Sequence, residues 1–523
     1  MQWISEVLSG YMAAYYIRQV LCELLLYILG TVIVVSTMVS GADKNEAVYS
    51  KLRIAVSLGG IVGLAAFITA GYCVLAAGIP YNAFVMNVLM AVVFALFIVI
   101  GIKRKSFTAV IKNIKPFYCV IWIVVCVVAA LIATSGYMRI SISNDSLYYF
   151  WQYPRAIVRY SGLRDQFDNF LTDTGLGAAV VGTLPFLYGF GQTFGIQEFF
   201  HMGFALFFGN AMYESIAFIK PTCSKKRAAV ISILAMLLLV FCTPVYIISH
   251  WAMANMYFME FFFAALFLFV YMNIRSEQSA WATAMLLMFA CSATRMEGGI
   301  FVLFLVVSVS VLENNSVALA GSIIPIAILN GLYEVKVFLS YNIDNPYLFM
   351  TPLKAVVQFV AYIAVIIYVL YIDKLLPLAV KKHVKIAFIV ALIAVNGLLF
   401  VADTGRYIEN LRAFAGNLFG QSGWGIVPYV LIGTIAVCVA LMLTGRTGRK
   451  MGLLRNNNPI VSFWIFCAIG FLLVAFAVSF ARGDALNITT GDSGNRVLLQ
   501  IVPVLLFAVI LGTVNCIFTS EED

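Results

Sequence analysis

Residues 82–105 read NAFVMNVLMAVVFALFIVIGIKRK, an uncharged run over 82–102 that stops at Lys103-Arg104-Lys105. About 20 apolar residues at 1.5 Å each are what a helix needs to cross a hydrocarbon core of about 30 Å. A basic cluster directly after such a run is the usual determinant of which end stays in the cytoplasm. The run therefore predicts a membrane-spanning helix and offers a template for the rest of the chain.

The template recurs near 20–39, 54–77, 117–136, 198–218, 228–248, 255–273, 317–340, 353–372, 386–402, 425–444, 459–480 and 497–517. Residues 280–312 form a further apolar region, interrupted at Arg295 and Glu297, that predicts two short spans meeting at an interface. The expected fold class is an all-α polytopic membrane protein with about 13–15 transmembrane helices. Composition agrees: 63% of the 523 residues are hydrophobic, 11% are charged and the mean hydropathy is +0.98. No water-soluble core could absorb that apolar content.

Charge places the loops. Segments 41–53, 103–115, 219–227, 273–279, 373–385 and 445–458 hold most of the 33 lysines and arginines, which predicts that they share the cytoplasmic face. This requires 177–194, with Gly182, Pro185, Gly189 and Gly191, to be interfacial instead of crossing. The N-terminus is then expected outside and the C-terminus inside. The net charge of +9 resides in these loop clusters, so nucleic acid is not an expected partner. Ten cysteines sit singly in apolar segments and three histidines lie far apart, so neither a disulfide framework nor a thiolate or histidine-rich metal centre is expected.

The opposite face collects the polar chemistry. It receives 137–176 with Asp145, Tyr149, Tyr153 and Arg155; the break Thr294-Arg295-Met296-Glu297-Gly298-Gly299; the loop 403–424 with Asp403, Arg406, Glu409 and Arg412; and 481–496 with Asp492 and Arg496. Asp145 follows Ser143-Asn144, so it either caps a helix or serves as a general base toward a substrate hydroxyl. Tyr148, Tyr149, Trp151 and Tyr153 either stack on a sugar ring or anchor the loop at the membrane surface. Arg155 either meets a lipid headgroup or binds phosphate through its planar fork of donors. Arg295 and Glu297 either pair with each other or act on a substrate, since a charge at a helix centre costs on the order of 2.5–3.5 kcal/mol. Asp492 and Arg496 form either a helix-start pair or a phosphate contact. Glu23, Glu214, Glu260, Glu334 and Lys336 lie within or near spans, where a transporter would place an ion path.

This arrangement resembles the glycosyltransferase C superfamily, which includes protein mannosyltransferases and the aminoarabinose transferases of lipid A. The resemblance runs over about 117–517 and rests on three short motifs: Asp145 just after a span, the Thr294-to-Gly299 turn, and Arg496 ahead of Pro503. It implies residues 1–116 as an N-terminal helical region and 117–517 as a catalytic body. Within that body, 137–197 would be an extracytoplasmic loop carrying juxtamembrane helices. The implied reaction transfers one sugar from a polyprenyl-phosphate carrier to a glycan, lipid or protein acceptor outside the plasma membrane, without a cofactor. Asp145 would be the base, and Arg155, Arg295 and Arg496 would meet the leaving phosphate, with Tyr149, Tyr153, Glu297 and Asp492 around the substrate. No second acid follows Asp145 before Asp165, unlike the paired acidic motif of many members. A lipid-linked glycan polymerase or ligase and a transporter or lipid flippase are the alternative readings. A transporter would be expected to show an internal repeat, which the sequence does not display.

Overall fold

The computed structural model describes residues 10–113, 151–163, 175–190, 196–249, 254–275, 279–295, 297–310, 316–340, 351–372, 378–420, 424–443, 458–482 and 497–519. These residues build helices and no strand. The first part of the chain forms α1 (Gly10–Met38), α2 (Asn45–Ala76), α3 (Ala83–Lys103), α4 (Ser106–Asn113), α5 (Tyr153–Tyr160), α6 (Leu176–Gly182) and α7 (Leu184–Tyr188). The middle forms α8 (Ile196–Ile219), α9 (Lys225–Val240), α10 (Thr243–Ser249), α11 (Ala254–Arg275), α12 (Trp281–Thr294), α13 (Gly298–Ser310) and α14 (Ser316–Ser340). The last part forms α15 (Pro352–Ile367, continued by a π-turn over Tyr368–Ile372), α16 (Leu378–Ala402), α17 (Thr404–Phe419), α18 (Val427–Leu443), α19 (Pro459–Arg482) and α20 (Val502–Thr519).

Seven of these helices are long and apolar enough to cross a membrane, against the 13–15 crossings expected, and six shorter apolar helices lie at other predicted spans. The differences have local causes. The single span expected over 228–248 is two helices, because Pro244 cannot continue α9 and starts α10 instead. The region 280–312 is two short helices, as its interrupting charges predict. Segment 177–194, read as non-crossing, contains α6 and α7, whose seven and five residues are far too short to span. The expected span 117–136 lies outside the described residues.

Position in the bundle follows from burial. In α2 and α11 the most apolar stretches are 83% and 100% buried, whereas in α3 only 6% is. The helix read first in the sequence is therefore a rim helix, and α2 and α11 are the interior. Lipid is as apolar as leucine, so close packing must hold such helices together. Three glycines make the α1–α2 crossing: a Cβ on Gly30 would run into the Gly59 carbonyl, and one on Gly63 into the Leu26 carbonyl. Around α11, edge-on phenylalanines do the same work. Phe262 meets Phe471 at 4.5 Å, Phe304 meets Phe471 at 4.4 Å, and Phe263 meets Phe507 at 5.3 Å. Each such pair is worth about 0.5–1.5 kcal/mol beyond its area.

The two ends of the bundle are tied differently. At one end, Ser50 donates to Glu214 at 2.7 Å and hydrogen-bonds Tyr271 at 2.8 Å, Arg53 pairs with Glu214, and Gly41 N donates to the Arg104 carbonyl at 2.9 Å. The ends of α1, α2, α3, α8 and α11 that lead into the basic loops thus meet. At the other end, Tyr81 N donates to the Ser161 carbonyl at 2.8 Å, and Tyr81 Oη lies 2.7 Å from Thr183 Oγ1. There the described parts of 137–197, namely α5, α6 and α7, pack on the α2–α3 turn.

Substituting Gly30→Val should cost at least the ~1–3 kcal/mol typical of overpacking and lower the thermal unfolding midpoint in detergent. Gly397→Val, on α16 with nothing within 4 Å of a new Cβ, should leave it nearly unchanged. Equal midpoints for the two variants would show that the α1–α2 crossing is looser than described.

Candidate functional site

The break between α12 and α13 is built by local chemistry. Thr294 Oγ1 hydrogen-bonds back to the Ala290 carbonyl, Arg295 is extended, and Gly298 N donates to the Arg295 carbonyl at 3.0 Å to start α13. A Cβ on Gly298 would sit 2.7 Å from the Cys291 carbonyl, so glycine lets the two helices fold tightly together. With 14 residues, α12 is about 21 Å long, short of the about 30 Å of a hydrocarbon core. The break therefore falls short of a full crossing, and its charges are enclosed by protein.

Arg295 and Glu297 are 5% and 0% exposed. Arg295 Nε donates to Glu297 Oε1 at 2.8 Å, Nη2 lies 2.7 Å from the same oxygen, and Nη1 donates to Asn255 Oδ1 of α11 at 3.3 Å. Gln500, just before α20, donates to Glu297 Oε1 at 3.4 Å. Its own Oε1 is buried and has no hydrogen-bond partner among the described residues. On the other flank, Tyr362 of α15 accepts from Gln358 at 3.2 Å and from Asn330 at 3.3 Å, and its hydroxyl occupies the space a Gly299 side chain would need.

The start of α6 closes the site from a third direction. Gly175 has φ +84°, and a Cβ there would lie 2.7 Å from the Ala293 carbonyl and 2.9 Å from Arg295 N. Only glycine satisfies both the dihedral and the contact. Part of the loop read as catalytic is thus brought against the Arg295 break.

A second buried acid lies on the same helix as Asn255. Glu260 meets His201 Nδ1 of α8 at 2.5 Å, and both are buried. Five residues of helix separate Asn255 from Glu260, about 140° and 7.5 Å, so α11 offers one face to Arg295 and another to His201. His201 Nε2 and Glu260 Oε2 have no hydrogen-bond partner among the described residues. A carboxylate fixing one imidazole nitrogen leaves the other able to hold or pass a proton.

The remaining predicted residues divide clearly. Tyr153 is buried on α5, and Arg155 on the same helix is exposed and outside the Arg295–Glu297 network. Asp145, Tyr149, Asp492 and Arg496 lie outside the described residues. The segment 403–424, expected as a loop contributing charges to an outer cavity, is largely helix α17. Asp403 caps it by accepting from Arg406 N at 3.0 Å, and Arg406 is held on the Phe480 carbonyl and ring. Glu214 is a tie between helix ends, and Glu23 bonds Gln19 at 2.8 Å. Sequence reading missed Asn255, Gln358, Tyr362 and Gln500; their one signal is an uncharged polar group isolated in an apolar run.

No protein-family profile, characterised protein or solved structure matches the chain.

Replacing Glu297 by Gln should destabilise the protein by about 3–5 kcal/mol, because a buried guanidinium loses its counter-charge. The double variant Arg295→Met, Glu297→Leu should recover most of that loss. Thermal unfolding of the three proteins in one detergent checks this, and a single variant as stable as wild type would mean that water reaches the pair.

Proposed function

We propose that this chain is a multi-pass membrane glycosyltransferase of the plasma membrane. It moves one sugar from a polyprenyl-phosphate carrier to a glycan, lipid or protein acceptor on the non-cytoplasmic side. The observation that carries the reading is the Arg295–Glu297 pair, buried at a tight break between two apolar helices and surrounded by the amides of Asn255 and Gln500. A charged pair so placed is costly, and intramembrane charges mark substrate paths more often than scaffolding. A phosphate bearing a long lipid chain is a substrate that approaches such a site from within the bilayer.

In the proposed reaction, Asp145 takes the proton of an acceptor hydroxyl as its oxygen attacks the anomeric carbon. The bond from that carbon to the phosphate oxygen breaks, the configuration inverts, and the lipid phosphate leaves. Arg295 stabilises the charge that grows on it, with Arg155 and Arg496 as further candidates, and Glu297 keeps the guanidinium oriented. Preorganised donors of this kind are worth about 10²–10³ in rate. The broken bond supplies the driving force, so no nucleotide is required.

The His201–Glu260 pair favours a second reading, a proton-coupled carrier, because a buried acid beside an imidazole is what a proton relay uses.

Purified protein in nanodiscs, supplied with radiolabelled polyprenyl-phosphate sugars and membrane extract, should transfer label to acceptor. Asp145→Asn should abolish transfer, and Arg295→Lys should slow it about 10²–10³-fold while the protein stays folded. Absence of transfer with every donor, together with pH-driven uptake in proteoliposomes that Glu260→Gln removes, would replace the enzyme with the carrier.

A further inference from the structure

A groove of about 540 Å³ opens on the outer surface of the bundle, between α1 and the rim helix α3. It is not a gap in loose packing. The two helices touch at one end, where a Cβ on Gly101 would lie 2.7 Å from Ser36 Oγ, and they splay toward the other, where α7 is wedged between them. Tyr188 of α7 donates to Asn87 of α3 at 2.9 Å and fixes that opening. The walls are apolar. Leu21, Leu25 and Ile28 of α1 are 53%, 66% and 48% exposed, Phe94 of α3 faces them, and buried Phe67 of α2 forms the floor.

Polarity is confined to the wide end. Arg18, Asn87 and Tyr188 line it, and Arg18 is in the first turn of the apolar stretch Ile17–Met38, at its end. Arg18 Nη1 donates to the Gly189 carbonyl at 3.1 Å, which pins the guanidinium over the mouth. Gly189 has φ +66°, and a Cβ there would come within 3.0 Å of that nitrogen. No carboxylate among the described residues pairs with Arg18, and one hydrogen bond leaves most of its five donors for a ligand. From Arg18 to Leu29 the groove follows about 16 Å of helix, the reach of a lipid chain across one leaflet.

We propose that this groove binds an anionic phospholipid, with one acyl chain along α1 and α3 and the headgroup phosphate on Arg18. A cation at the mouth and an apolar trough of chain length fit a lipid better than a partner helix, which would find no polar contact along the walls. The site is separate from the Arg295 break and does not depend on the reaction proposed there.

The test places a reporter in the groove, Phe94→Trp, and compares its fluorescence with the parent protein in nanodiscs of phosphatidylcholine. These are doped with phosphatidylglycerol or phosphatidylcholine brominated in the acyl chain. Brominated phosphatidylglycerol should quench the added tryptophan at about fivefold lower mole fraction than brominated phosphatidylcholine. Arg18→Gln should bring that ratio to about one while chain quenching persists, and Arg18→Lys should keep most of it. Equal quenching by the two lipids in the reporter protein, a preference that survives Arg18→Gln, or no quenching by either lipid would each overturn the proposal.

Discussion

Four glycines of α2 let three other helices approach its backbone, and that closeness is the constraint on which the rest of the bundle depends. Gly59 and Gly63 admit α1, Gly60 lies against Phe200 of α8, and Gly71 lies against Val180 of α6. Helix α6 in turn seats Gly175 and Gly177 on the end of α12, where Arg295 begins the break. A side chain at any of these points would move a helix by ångströms, and the displacement would reach the charged pair through two contacts. In lipid, where apolar surface gains nothing by being hidden, fit between backbones takes the place that hydrophobic burial holds in water.

The polar interior obeys the complementary rule. Groups that cannot reach water are gathered where one helix serves several partners, and α11 is that helix. Asn255 answers Arg295 and Glu260 answers His201, while its phenylalanines lock against α13, α19 and α20. A buried ion pair adds little net stability, yet losing one member is expensive, so such pairs make an arrangement hard to vary without making it strong. That property suits a site whose geometry matters more than its contribution to folding.

Much of the architecture was legible in the sequence, for physical reasons. Runs such as 82–102 announce themselves because lipid tolerates almost no charge, and the break at 294–299 does so because Arg295, Glu297 and two glycines interrupt such a run. What hydropathy does not carry is continuity: Pro244 divides an apolar stretch that a sliding average reads as one helix. Nor does it carry partnership. Arg406 has the charge expected of a phosphate ligand but is held by the Phe480 carbonyl, whereas Gln500, uncharged and inconspicuous, reaches the candidate centre. Asp145, Asp492 and Arg496 rest on motif position alone.

The order of the buried pairs along the chain bears on how the protein enters the membrane. Glu214 follows Ser50 and Arg53, and Glu260 follows His201. In both cases the acid, costly to expose to hydrocarbon, is made after the group that receives it. Because synthesis proceeds from the N-terminus, each such helix leaves the ribosome with its counterpart already inserted. Helix α11, sheathed on all sides and bearing Glu260, can then move from the translocation channel directly onto α8, with no interval as a lone span in lipid.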